Sequence, residues 1–219
     1  MSQHTELSAD EALQRLNSGN ERFVKGQSRR SGGVPRETLA ELARGQRPFA
    51  MILGCSDSRV APETIFDVGL GELFVARVAG NVLAPEVAAS IQYATAHLQV
   101  PLLVVLGHEG CGAIQAALAT KYQSVQQRSR IQLLVDTILP ALEGLDPGLH
   151  EPERLARAVE MNVRWTATAI LNSPEGRARQ AEGRIRCVGA IYEIETGRVR
   201  LLDFTGSPAR PTGSDQTES

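Results

Sequence analysis

The sequence predicts an α/β fold: a central, mainly parallel β-sheet flanked by helices, with an N-terminal helical arm and a C-terminal hairpin or edge strand. Three observations predict it. From Pro48 onward, short apolar runs alternate with segments of helical spacing. The runs "FAMILG", "LFVARVAG" and "PLLVVLG" are continuously apolar rather than alternating, as strands covered on both faces are. Near the end, "IRCVGAIYEIETGRVRLLDF" has two strand-like halves with Thr196 and Gly197 near the turn between them.

Taken in order, Ser8 followed by Glu11 has the spacing of a capping box, and Leu13, Leu16 and Phe23 recur behind it at helical intervals. A first helix is expected over 9–25. A Gly/Arg/Ser-rich link leads to a short helix over 36–44, which Gly45 can end. This arm, residues 1–45, has few apolar groups per turn and is expected to pack on something other than itself. The α/β body, 46–205, begins with the strand in "FAMILG", a short helix through "APETIFDVG" and the strand in "LFVARVAG". A helix over 85–98, with Val87, Ile91 and Ala94 on one face, precedes the strand in "PLLVVLG". Leu133, Val135, Ile138 and Leu142 predict a helix over 124–143. Val159, Val163 and Ile170 predict a longer one over 152–172, with Trp165 as a packing residue. Pro174 and Gly176 break that pattern. The tail, 206–219, is rich in Ser, Pro, Gly and Thr and is expected to be disordered.

A chain of 219 residues can bury one sizeable core. With 23 basic and 25 acidic residues the formal charge is -2, so no whole-chain basic field recommends a nucleic acid as partner. The start, "MSQHTELSADEALQRL", lacks the pattern of a secretion signal, and the apolar runs are too short to span a bilayer. A cytoplasmic protein with no membrane partner is expected. Three cysteines do not suggest a disulfide scaffold, which makes their spacing relative to histidine the better question.

Ligands of parallel sheets bind beyond the carboxyl ends of strands, and both "ILGC" and "VLGH" put a reactive side chain there. "HEGC" spaces His108 and Cys111 three residues apart among glycines. Alone, this is weak, because a cysteine beside a strand more often packs as a small apolar group. Cys55 at the end of another strand, with Asp57 two residues on, changes that balance. Two thiolates, one imidazole and one carboxylate form a sensible tetrahedral zinc set and disfavour magnesium or calcium. With Asp57 bound the site is closed; with water in its place zinc becomes a Lewis acid. Arg59 can pair with Asp57, either holding the carboxylate away from zinc or orienting it toward a bound hydroxide.

"CSDSR" followed by "HEGCG" resembles the beta-class carbonic anhydrases, and the resemblance runs from about Leu13 to Phe204. It implies a zinc-dependent, reversible hydration of carbon dioxide to bicarbonate and a proton, with one zinc per chain held by Cys55, His108 and Cys111. Asp57 would be either the fourth ligand or, in the active form, the partner of Arg59 that accepts a hydrogen bond from zinc-bound hydroxide. Gln46 falls where the plant-like members carry a substrate-binding glutamine. Phe74 and Tyr93 match positions lining the family's small apolar pocket, and the Gly112 N–H would be a second donor to bicarbonate. In that family the glutamine and both aromatics come from the neighbouring subunit. A homodimer is therefore implied, extending to a tetramer in some assemblies, with the first helix wrapping its neighbour. Without the resemblance, Phe74 and Tyr93 read as core residues, Gln46 as an exposed polar residue, His97 as a helix end and Cys187 as buried and inert.

The chain departs from the family at Val78, where many relatives carry asparagine, so the site's tuning is expected to differ. Members of the bicarbonate-inhibited branch carry tryptophan three residues before the first zinc cysteine. This chain has Ile52 there, which favours the plant-like, non-inhibited branch, although Arg77 matches an arginine of the inhibitory pocket. Rival readings are a related zinc hydrolase of carbon disulfide or carbonyl sulfide and a non-catalytic zinc-binding domain. Arg59 and Gln46 speak against the second, since a structural site needs neither. Neither GxxxxGK nor GxGxxG follows a candidate strand, which weakens a phosphate-binding reading.

Overall fold

The computed structural model describes residues 7–29 and 33–203. The tail over 206–219 and His4 lie outside those residues. Among the described residues, five strands form one sheet in the order β2-β1-β3-β4-β5: β1 is Ala50–Gly54, β2 Leu73–Arg77, β3 Leu102–His108, β4 Arg186–Tyr192 and β5 Val199–Leu201. The first four are parallel and β5 returns antiparallel to β4, so the expected hairpin forms.

Continuous apolar character marks the central strands because both of their faces are covered. Every residue of β1 and β3 is buried. Met51, Leu53, Leu103 and Val105 face a core completed by α4 (Pro85–Ala96), α5 (Gly112–Gln123), α6 (Arg130–Ile138) and α7 (Glu153–Asn172). Ala50, Ile52, Leu102, Val104 and Leu106 face the other core, covered by α1 (Ala9–Val24) and α3 (Pro62–Ile65).

The capping box at the start of α1 is present, with the Ser8 hydroxyl accepting from the Glu11 N–H and Glu11 Oε2 accepting from the Ser8 N–H. Ala12, Leu13 and Leu16 are buried against the chain's own sheet, and fully burying a leucine contributes about 2 kcal/mol. Asn20 fixes the helix further, donating to the carbonyls of Ile65 and Gly197 and accepting from the Val199 N–H. The helix expected to wrap a neighbour thus uses its apolar side within the chain. Within the arm it is α2 (Arg36–Leu42) that buries nothing, leaving Leu39 exposed along with the nearby Val34.

Three expectations differ from the structure. The helix expected over 124–143 starts six residues later, as α6, and a separate helix, α5, occupies Gly112–Gln123. Ser124, left-handed at φ 54, ends α5, and a 3-10 turn at Leu139–Leu142 follows α6. Pro174 starts a helix instead of only ending one: it occupies the first turn of α8 (Pro174–Ala181), where a missing N–H costs nothing, and the Ser173 hydroxyl caps it by accepting from the Gly176 N–H. Trp165 is not packed in the core but lies 48% exposed on α7.

The order β2-β1-β3 makes the chain leave β1 toward one side and return on the other, so a topological switch point lies between the carboxyl ends of β1 and β3. A crevice forms at such a point. Cys55 follows β1 and His108 ends β3.

Candidate metal and catalytic site

The switch point brings the three expected ligands together. One donor atom each from Cys55, His108 and Cys111 lies within 4.8 Å of the others, and all three residues are buried. His108 Nδ1 is 2.9 Å from the Glu109 carbonyl, which only accepts, so the proton belongs on Nδ1 and the Nε2 lone pair is left free. Nε2 is buried and, among the described residues, has no hydrogen-bond partner. A buried acceptor without a partner is costly in a closed protein interior, and beside two thiols it is the donor that zinc completes. The residues fit the metal.

Local backbone supplies charge compensation. Cys111 stands at the N-cap position of α5, and the Ala113 and Ile114 N–H groups favour its thiolate. Cys55 receives the Gly80 N–H at 3.3 Å. Before any metal binds, the two thiols ionise as a pair. The Cys55 thiol is drawn down, chiefly by the hydrogen bond from Cys111, with help from the Asp57 and Gly80 amides against the opposing cost of burial. Its partner Cys111 is pushed up, first by that same bond and then by burial.

Asp57 stands beside this cluster, with Oδ2 3.9 Å from His108 Nε2. Both carboxylate oxygens are engaged by Arg59, whose hydrogen bonds hold the Asp57 carboxyl well below the ordinary carboxylate range. Gly112 follows Cys111 directly as the first residue of α5, so its N–H is one of the amides that no helix carbonyl can satisfy.

Gln46, Phe74 and Tyr93 are elsewhere. Gln46 is exposed and lines a groove of about 960 Å³ with Phe49, His97, Pro101 and Arg186, residues at or before the amino ends of β1, β3 and β4. The length of β1, roughly 16 Å, separates that end from Cys55. Phe74 pairs with Met51 near the start of β1, its ring centroid 6.0 Å from that of Tyr93, which in turn is 5.1 Å from His97. The exposed Tyr93 is not the core residue its helical position suggests. Gln46 in its groove and the Phe74–Tyr93 pair thus both lie toward the end of the sheet opposite the chain's own cysteines.

Sequence reasoning missed one brace of the site. Arg77, at the end of β2, donates from Nε to the Cys55 carbonyl at 2.9 Å and from Nη2 to the Asp57 carbonyl at 2.6 Å, holding the loop that carries both residues. A signal was present, since an arginine that closes a strand beside the switch point has the crevice within its reach.

A carbonic anhydrase family model matches residues 50–199, a span that holds all four strands of the parallel sheet and every residue of the cluster. The chain belongs to the carbonic anhydrase family. It is 40% identical over 201 residues to carbonic anhydrase 2 of Mycobacterium tuberculosis, covering 90% of this chain and 94% of that one. A carbonic anhydrase of Pseudomonas aeruginosa is 34% identical over 173 residues, 76% of this chain and 79% of the relative. Among solved structures, one of the two tetrameric beta-carbonic anhydrases of Sordaria macrospora superposes with a TM-score of 0.70 at 28% identity, covering 88% of this chain and 97% of that one. The Coccomyxa beta-carbonic anhydrase gives a TM-score of 0.70 at 26% identity over 87% and 86%. These place the chain in the beta class. Its Cys-His-Cys cluster, suited to a single zinc ion, and its family membership support zinc-dependent hydration of carbon dioxide as its activity.

Proposed function

We propose that the chain works as a plant-like beta-class carbonic anhydrase whose site is divided between two subunits. Cys55, His108 and Cys111 would hold the zinc, which supplies Lewis acidity when bound and brings water ionisation within reach of neutral pH. The observation that carries this reading is the buried, partnerless His108 Nε2 between two thiols. Asp57 would accept a hydrogen bond from water at the metal site at its carboxylate, while Arg59 donates to both carboxylate oxygens, keeping it ionised and turned away from closing the metal site. The Gly112 N–H, at the positive end of α5, donates to an oxygen of bicarbonate.

Among the described residues of one chain, Gln46, Phe74 and Tyr93 lie toward the far end of the sheet from its own cluster. A two-fold homodimer resolves this by presenting these residues to the other subunit's metal cluster, so that both pockets are completed at once. The Gln46 amide then donates to a substrate oxygen, while Phe74 and Tyr93 wall an apolar space for carbon dioxide. The apolar groups of the α2 segment, Val34 and Leu39, are suited to such an interface, and pairing of dimers into a tetramer is compatible with it. Ile52, fully buried in β1, leaves no tryptophan at the position that marks the bicarbonate-inhibited branch. Three free, buried cysteines suit a reducing compartment, the cytoplasm.

Zinc analysis and a carbon dioxide hydration assay on one preparation test the reading. About one zinc per chain together with hydration activity is expected. A zinc-free chain that hydrates carbon dioxide, or a zinc-loaded one that does not, overturns it.

A further inference from the structure

We propose that Asn162 is a positioning residue for the metal ligand Cys55, acting through the backbone of Gly80. This rests on the Cys-His-Cys reading of the metal site. Asn162 is 1% exposed and lies on the apolar side of α7 among Val159, Val163 and Thr166. An amide there is out of place on packing grounds, since burying it costs free energy unless it is bonded. Its Nδ2 donates to the Gly80 carbonyl at 2.8 Å, across 82 residues of sequence. The N–H of the same Gly80 points at Cys55 Sγ, 3.3 Å away.

Gly80 depends on an outside hold. It is left-handed, with φ 68 and ψ 16, and Asn81 after it is also left-handed at φ 44. Two successive residues in that region do not persist without support from their surroundings. A Cβ on Gly80 would come within 3.0 Å of Ile138 Cδ1 and 3.2 Å of the Ala113 Cβ, so the turn is pressed between α5 and α6. The bond from Val78 N–H to the Gly54 carbonyl tethers the segment on one side, and Asn162 tethers it on the other. With its carbonyl held from α7, rotation about Gly80 is restricted, and that restraint keeps the neighbouring peptide plane, whose N–H faces the sulfur, in place. An N–H donated to a thiolate draws off part of its charge, which stabilises the ionised ligand and moderates what it gives to a metal. Asn162 thereby governs Cys55 without touching it.

The test replaces zinc with cadmium-113 in the full chain and reads scalar coupling between the metal and protons by NMR. In the unmodified chain the Gly80 amide proton couples to cadmium through Cys55 Sγ. In Asn162→Leu, and in the smaller Asn162→Ser should the leucine variant not fold, that coupling is lost or more than halved. Zinc affinity falls about 10-fold, as it does on losing an outer-shell bond. Thr166→Val, at an equally buried polar position of α7, leaves both unchanged. Wild-type coupling to Gly80 in a folded Asn162 variant overturns the proposal. So does an unmodified chain in which cadmium couples to the β-protons of Cys55 and Cys111 but not to Gly80; that outcome spares the metal reading. A chain that takes up no cadmium at these cysteines overturns both.

Discussion

Arg59 donates to Asp57 three times: Nε reaches Oδ1 at 2.9 Å, Nη2 reaches Oδ2 at 2.8 Å, and its backbone N–H reaches Oδ1 at 3.0 Å. A guanidinium that occupies both oxygens fixes the plane of the carboxylate as well as its charge. Arg59 itself is half exposed, so the pair has more to do with orienting Asp57 than with holding the fold together.

Arg59→Ala is therefore expected to keep its zinc and to lose about 10- to 100-fold in hydration rate. The Asp57 carboxyl, now depressed, should titrate nearer its ordinary value of 3.8 in the variant. A depressed carboxyl stabilises the folded chain above that ordinary value, and the contribution disappears as pH falls through the folded one. The variant should consequently unfold at a higher pH on acidification. Hydration rate, zinc content and a carboxyl titration by carbon-13 NMR, taken together, check this; full turnover in a zinc-loaded variant would show the pair to be mere surface charge.

Metal removal should expose an order of thiol reactivity. With the metal in place, no cysteine is expected to react. After chelation at neutral pH, alkylation should mark Cys55 and Cys111, because the pair of thiols ionises with one of them drawn well below the ordinary thiol range. Cys187, pushed up to about 12 by burial within β4, should react only on unfolding. Peptide mapping gives the order directly, and early labelling of Cys187 would contradict it. Cys111→Ala should empty most zinc sites, since soft thiolates supply much of the affinity.

The strand that ends in His108 is set by close packing. A Cβ on Gly107 would lie 2.5 Å from Val163 Cγ2, and one on Gly189, in the neighbouring strand, 2.9 Å from Val163 Cγ1. Gly107→Ala should destabilise the chain by about 1–3 kcal/mol through overpacking. It should also lower zinc occupancy, because His108 is the next residue. Adding Val163→Ala should recover part of both losses, as neighbours that share one contact are not additive. Denaturant midpoints for the single and double variants measure the coupling; strict additivity would mean that α7 does not set the position of β3.

The strands and the cluster were legible because each announces itself locally. β1 and β3 are unbroken apolar runs, and Cys55, His108 and Cys111 stand where such runs stop. By contrast, α5 was not legible. Its buried face is Ile114, Ala117 and Leu118, and with alanines on its other sides too the helix shows little contrast between faces. For α8, Pro174 looks the same as a breaker or as a first-turn residue until Ser173 is seen capping it. Arg77 could be read only as an arginine within reach of the crevice, not as the brace of Cys55 and Asp57, and Asn162 owes its role to a bond across 82 residues, which no local pattern encodes.

The division of the site between subunits can be decided by complementation. Gln46 precedes the amino end of β1, and the Cys-His-Cys cluster lies at and beyond the carboxyl ends of β1 and β3, so in the shared-site proposal each Gln46 serves the partner's cluster. Gln46→Ala should keep zinc and lose most activity, while Cys111→Ala should keep Gln46 and lose the metal. Mixed and allowed to exchange, the two variants form hybrid dimers in which the Gln46→Ala chain supplies zinc and the Cys111→Ala chain supplies the amide. Half of the dimers in an equal mixture are hybrids and each has one intact pocket of two, so activity should return to about a quarter of wild type. Leu39→Asp, placed in both chains at an exposed position of α2, should weaken the dimer and abolish the recovery without unfolding the subunit. Sedimentation on the same mixtures confirms that hybrids form. Hybrids that form without regaining activity would mean that the pocket is complete within one chain, and so would a diluted monomer that retains full activity per zinc, while the assignment of the metal ligands would stand.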